Sequence, residues 1–354
     1  MRSAAVTWPL SRRRARRQAA LGEPERAAVA RDRLESFVAG IPPRGPGGSP
    51  ALERFAADLF GAFGEARIDA LLLKGAALAR LLYEPGERRG YVDVDVLVRP
   101  DHQAAAASVL AGLGYRNATE LHGIDYVKGA VPSDTWTPPP HGAPYDVDVH
   151  RWLPGAQAPP ETAWDALWGR RTSIELAGRE IPVLARQGQA LHLALHAAQH
   201  GPDFVKGLVE LRRALDRWQP AIWRDAVALA EEVDALPRFA AGLRLVPDGR
   251  ELVASLHLPV ADAVEWEIGH RAERPRGTFH VEAFGKAESL RERIGLVRRA
   301  LVPSRRWLEV EYHWAARGPL HLALGYALHL ARTPAWLVRA WSFRRRARRA
   351  GAGN

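Results

Sequence analysis

Hydrophobic and polar positions along the chain change period several times, and each change predicts an element. Leu52, Phe55, Ala56, Leu59 and Phe63 fall on one side of a helix that opens at Ser49-Pro50 and runs to about residue 64. Residues 68–73 form a short apolar run that reads as a strand. Lys74-Gly75 follows, then a helix over 76–83 that Pro85-Gly86 breaks. Residues 91–98 alternate with period two and predict a strand. Pro100-Asp101 starts a helix over about 101–113, closed by Gly112 and Gly114. Residues 132–144 are predicted as a loop around three consecutive prolines, 138–140, and 145–150 alternate again as a strand.

Beyond Trp152 strand signals become rare. Residues 173–176 and 180–184 predict a short hairpin, and about 188 to 343 predicts helices. The expected class is therefore α+β. The expected organisation is a basic N-terminal arm with one helix (1–48, helix about 22–39), an α+β core (49–155), a helical domain (156–343) and a basic disordered tail (344–354).

Length and composition support that division. The 354 residues are 47% apolar and 25% charged, enough for two domains with packed cores. Cysteine is absent, which excludes disulfide frameworks, thiol nucleophiles and thiolate metal sites and fits a cytoplasmic location. No uncharged run reaches 18 apolar residues, so no spanning helix is expected, and the N-terminal arginines lack the apolar segment of a signal peptide. The net charge of +10 suggests nucleic acid, but residues 1–17 and 339–354 each carry six arginines and no acid. The stretch between them is close to neutral, so nucleic acid is an unexpected partner.

The chemistry-bearing positions are acidic. Asp93 and Asp95 lie two apart within an otherwise apolar strand, so their carboxylates share a face. Two like charges there repel and lose hydration, and a divalent cation relieves both costs. Asp146, Asp148 and His150 repeat the pattern on a second strand. If the strands are neighbours, the carboxylates converge as a two-metal phosphoryl- or nucleotidyl-transfer site requires. Otherwise they are polar faces of edge strands. Lys74-Gly75-Ala76 joins a strand to a helix start, where backbone N–H groups form an anion site and Gly75 permits close approach of a phosphate. The same turn also reads as a plain connection.

The order of these motifs resembles the polymerase-beta-like nucleotidyltransferase superfamily. More narrowly, Leu73-Lys74-Gly75-Ala76, Arg89 with Asp93-Val94-Asp95, and Asp148-Val149-His150-Arg151-Trp152 are similar to the bacterial uncharacterised nucleotidyltransferase family. The resemblance extends over roughly residues 50–340. It implies a nucleotidyltransferase core of mixed sheet and flanking helices, followed by a mostly helical domain. It also implies that Asp93 and Asp95 bind two Mg²⁺ (or Mn²⁺) ions, with Asp148 completing the catalytic one. Lys74, the Gly75 and Ala76 amides and Arg89 would hold the phosphates of an NTP, ATP foremost. Members often lie beside peptide natural-product genes, lasso peptides among them, which gives a context and not a substrate; the expected acceptor is a small molecule or peptide. Two departures stand out: Ala76 replaces the usual Gly or Ser, and Arg151 is inserted before Trp152.

Other positions carry two readings each. His192, His196 and His200 recur every four residues on one helix, as a packed seam, a zinc pair, or, for His200, a contact to nucleotide or acceptor at the site mouth. Lys206 and Arg212 read as phosphate ligands or surface charge. Trp136 reads as a lid residue stacking on a base, or as part of an inert connector. The stretch 320–343, leading into the Arg-rich end, reads as the last helix of a bundle or as a helix on an anionic membrane surface. Two further functions stay open beside the enzyme: a non-catalytic nucleotide-binding or scaffold protein on the same fold, and a tRNA-modifying toxin.

Overall fold

The computed structural model describes residues 50–84, 86–118, 132–139, 145–270, 275, 277–287 and 289–350. The N-terminal arm and the expected helix over 22–39 lie outside them, as do residues 351–354. Two helices and a mixed sheet open the described chain: α1 (Pro50–Glu65), β1 (Ala70–Leu72), α2 (Lys74–Leu81) and β2 (Val94–Val98). Next come α3 (Gln103–Gly112), β3 (Arg116–Asn117), β4 (Ser133–Thr137) and β5 (Val147–His150), then α4 (Pro160–Gly169), β6 (Arg171–Leu176) and β7 (Arg179–Leu184).

The seven strands form one sheet in the order β3-β4-β5-β2-β1-β7-β6. β2 runs parallel to β5, and β1 parallel to β7; the other neighbours are antiparallel. Val94, Val96, Val98, Val147 and Val149 pack with α1 and α3 on one side of the sheet. Leu71, Leu73 and Leu97 point to the other side and pack against the helical half. Period-two alternation thus decides which side chains reach which layer. On β2 and β5 it leaves Asp95, Asp148 and His150 on the face opposite the valines.

The sheet corrects three expectations. Residues 133–137 are a strand and not a loop, because β4 pairs with both β3 and β5. Trp136 is buried in the core under the sheet, so it is no lid residue. The β6–β7 hairpin, expected within the helical half, extends the sheet past residue 155. Its two-residue turn, Ala177-Gly178, has φ of 49° and 80°, the pair of left-handed positions that a tight hairpin requires.

The helical half follows: α5 (Arg186–His200), α6 (Val205–Arg217), α7 (Pro220–Glu232), α8 (Leu236–Leu243), α9 (Pro247–Ser255) and α10 (Asp262–Gly269). α5 is its centre, buried over nearly its whole length from Gly188 to Ala198 and covered by α7 and α8. The chain ends in α11 (Thr278–Lys286), α12 (Leu290–Leu301), α13 (Arg305–Glu311) and the long α14 (Pro319–Ala350). Residues 344–350, expected as a disordered tail, continue α14; arginine is a good helix former.

Candidate active site

The site is built where β1 ends and the antiparallel β2 begins, next to α5 and α6. Asp95 and Asp148 are register partners on the parallel strands β2 and β5. Asp93 lies two residues before Asp95, just ahead of the paired part of β2. Burial and the charges of Asp95 and Asp148 push the Asp93 carboxyl above its ordinary pKa. Asp148 is also raised, chiefly by burial and further by Asp95, against a hydrogen bond from Thr135 Oγ1 that favours the anion. Asp93 and Asp148 thus each carry a raising contribution from the charge of Asp95 in addition to burial.

Asp95 is the exception. Its Oδ1 accepts from Lys74 Nζ at 2.8 Å and meets His150 Nε2 at 3.0 Å. Burial opposes its ionisation, but the His150 hydrogen bond and the Lys74 charge outweigh it and hold the carboxyl below the usual range. His150 Nδ1 is buried with no partner among the described residues. The inserted Arg151 forms an ion pair with Asp134 on β4, which accounts for its place after His150.

Lys74 belongs to the turn after β1. Gly75 has φ 49° and ψ −119°, a backbone state that L-residues rarely adopt, and a Cβ there would meet the Tyr91 ring at 3.3 Å. The positive φ calls for glycine, and the Tyr91 ring would have to give by a few tenths of an ångström to admit a Cβ. Ala76 follows, buried, at the start of the regular part of α2. The Gly75 carbonyl accepts from Arg89 Nη1 at 3.2 Å. In a trans peptide the N–H points opposite the C=O, so this bond fixes the direction of the Ala76 N–H.

Arg89, expected as a phosphate ligand, is buried and bonded to Glu210 of α6 through Nε at 2.8 Å and Nη2 at 3.1 Å. It braces the turn. Lys206 donates to the Gly90 carbonyl at 2.7 Å, and burial lowers its pKa. Arg213 and Arg217 pair with Glu87. α6 is thus fastened to the segment between the turn and β2. Arg212 pairs instead with Asp248, half exposed. Glu210 and Thr135 went unrecognised in the sequence. A signal for Glu210 existed: residues 206, 210, 213 and 217 form a polar stripe at helical spacing.

The α5 histidines flank the carboxylates. His192 is buried, and burial together with the Lys74 and His150 charges pushes its pKa down to about 3. His196 is lowered for the same leading reason. The His196 ring meets His200 at 4.5 Å and Phe204 at 5.2 Å, edge to face, and His200 is exposed. These are ring contacts, not ligands turned to one point. Among the described residues no group of three or more His, Asp or Glu side chains is set to hold a metal ion as it stands. At the carboxylates, Lys74 supplies the neutralising charge.

A family model described as uncharacterised nucleotidyltransferase matches residues 51–248. No curated protein matches. Among solved structures, the antibiotic-resistance factor ANT(2″)-Ia in solution is 16% identical, covering 52% of this chain and 94% of that one, with a TM-score of 0.37. A crystal structure of ANT(2″)-Ia in complex with adenylyl-2″-tobramycin is 15% identical, covering 51% and 97%, also at 0.37. An antigenic nucleotidyltransferase-like protein from Paracoccidioides brasiliensis is 15% identical, covering 54% and 95%, at 0.32. The family match spans α1 through the start of α9, and with it the turn, both acidic strands and the bracing helix: the chain belongs to the uncharacterised nucleotidyltransferase family.

Proposed function

We propose that the protein transfers a nucleoside monophosphate from an NTP, ATP foremost, to a hydroxyl or phosphate of a small-molecule or peptide acceptor and releases pyrophosphate. The observation that carries this reading is the in-register pairing of Asp95 with Asp148 beside the Gly75 turn. The Ala76 N–H, aimed by the Arg89 bond to Gly75, and the Lys74 ammonium are the donors for the triphosphate. The Lys74 ammonium, which pairs with Asp95 at 2.8 Å, would exchange that carboxylate for phosphate oxygens on NTP binding. His150 keeps Asp95 ionised and oriented through Nε2. Thr135 does the same for Asp148.

The donor set fits divalent cations. Carboxylate oxygens of Asp93, Asp95 and Asp148 are hard ligands, and burial first and neighbouring carboxylate charge second raise Asp93 and Asp148, costs that a bound cation would offset. Bound Mg²⁺ or Mn²⁺ would neutralise phosphate charge and make the acceptor oxygen a better nucleophile. His200 and Phe204, in ring contact at 4.7 Å, lie at the end of α5 and offer an aromatic edge to nucleotide or acceptor.

The test is incubation of the full chain with Mg²⁺, each α-labelled NTP and panels of hydroxylated and phosphorylated acceptors. Labelled acceptor and pyrophosphate are expected, and both are lost in Asp93→Asn and Asp95→Asn. Full transfer by those two variants refutes the reading. Metal-dependent NTP binding with no pyrophosphate release would instead favour a binding protein.

A further inference from the structure

α14 is apolar on two opposite sides. Gly325, His329, Thr333, Ala340 and Phe343 recur along one side and are buried against α10, α11, α13 and the turn at 313–317. At 100° per residue, Leu320, Leu324, Ala327, Ala331 and Val338 line the opposite side. That side is bare: Leu320 is 80% exposed, Val338 63% and Trp341 56%. Between residues 320 and 341 the exposed positions are Leu, Ala, Pro, Val or Trp, apart from Arg332 and Arg339. A helix that is hydrophobic all round belongs with both sides covered, and a bare stripe of this length marks a contact surface.

Charge selects the occupant. α14 carries seven arginines and no acidic residue, and six of the seven lie in residues 339–350. Arg345 and Arg349 continue the apolar stripe on the same side of the helix. The Arg345 guanidinium lies over the Trp341 ring at 5.3 Å, an aromatic and a cation paired at the point where the stripe changes character. α12, packed on α14, also has Leu290 and Ile294 exposed beside Arg291 and Arg298. A parallel second copy seated on this stripe would set the two arginine clusters of residues 339–349 against each other, and an antiparallel one would leave both clusters facing an apolar stripe with no acidic residue to meet them. An anionic lipid surface meets both features, with an apolar layer for the stripe and phosphate headgroups for the arginines, whose stems reach outward from the helix. No helix among the described residues is long and apolar enough to cross a membrane, so the contact is peripheral.

We propose that the exposed side of α14 docks the protein on an anionic membrane surface, with Leu320 to Trp341 at the acyl boundary and the arginines of its C-terminal turns on the headgroups. The reading is independent of the active site, and its test is separate. The full chain is sedimented with phosphatidylcholine vesicles and with equimolar phosphatidylcholine–phosphatidylglycerol vesicles, at low and at raised salt. It is expected to pellet with the anionic vesicles alone and to be released by salt. The exposed-site variant Leu324→Glu/Val338→Glu, checked for fold by circular dichroism, loses the binding and leaves nucleotidyl transfer unchanged. Arg345→Gln/Arg348→Gln/Arg349→Gln, which needs no repacking, lowers partitioning on the order of 100-fold, from about 1 kcal/mol per arginine at such a surface. Three results overturn the proposal: no pelleting with anionic vesicles, equal pelleting with both compositions, or unchanged binding by both variants. A dimer that Leu324→Glu/Val338→Glu splits, without vesicle binding, assigns the stripe to a second copy and overturns it as well.

Discussion

Arg89 and Glu210 form a two-pronged buried ion pair across 121 residues of sequence, and the third arm of the same guanidinium holds the Gly75 carbonyl. One side chain therefore ties helix α6 to the phosphate turn. Removing one partner leaves the other charge buried and unpaired, which costs about 3–5 kcal/mol. Glu210→Gln and Arg89→Met should each lower the melting temperature by many degrees. The double variant Arg89→Met/Glu210→Met replaces the pair with apolar side chains and should recover most of that stability. It cannot hold the Gly75 carbonyl, so its KM for NTP should stay raised. Thermal melts set beside NTP kinetics separate the two effects; a double variant with normal KM would show that the pair is structural alone.

Gly75→Ala tests the turn itself. Its φ of 49° with ψ of −119° costs about 1–3 kcal/mol for a residue with a Cβ. The added methyl also presses on the Tyr91 ring, whose hydroxyl is tied to Glu53 at 3.0 Å and cannot give way freely. Lower stability and weaker NTP binding are expected together, read by denaturant titration and by equilibrium binding. Gly64→Ala, in open space near the end of α1, is the control: it should keep or slightly raise stability, as helix propensity dictates, and leave NTP binding unchanged.

The acidic strands were legible because their signal is local. Period-two alternation in residues 91–98 and 145–150 sets side-chain direction without reference to the rest of the chain, and the pairing of Asp95 with Asp148 follows once the strands are neighbours. β4 was hidden for the opposite reason. Its five residues sit beside prolines, and Trp136 is buried only through pairing with β3 and β5. Thr135 was missed with it. Arg89 is legible as a motif residue but its partner Glu210 is not, since Glu210 reaches it only through the docking of α6. Long-range partners of this kind are fixed by packing, which no short window of sequence contains.

Thr135 donates its hydroxyl to Asp148 Oδ1 from the neighbouring strand. The bond directs one carboxylate oxygen and leaves the other for ligands. Thr135→Val keeps the shape and the β-branch but removes the donor, at a net cost to stability of only about 1 kcal/mol. Activity should fall about tenfold or more, because Asp148 loses its fixed orientation. Thr135→Ser should restore most of it. Rescue by serine in kcat, with all three proteins melting within a few degrees of one another, is the expected pattern. Equal loss in both variants would place the effect in packing.

His192 supplies a pH dependence whose sign can be worked out. Its pKa of about 3 lies below the ordinary 6.5, because burial and then the Lys74 and His150 charges disfavour the imidazolium. Between those values the unfolded chain binds a proton at this residue that the folded chain does not. Stability is therefore full above about pH 6.5 and falls as pH drops toward 3, by about 3 kcal/mol at pH 4 relative to pH 7. His192→Gln removes that proton uptake. Denaturant titrations from pH 7 to 4 should show a shallower loss for the variant by about one proton equivalent, even if it starts from lower stability at pH 7. Parallel curves for the two proteins would mean that His192 already takes up its proton in the folded state.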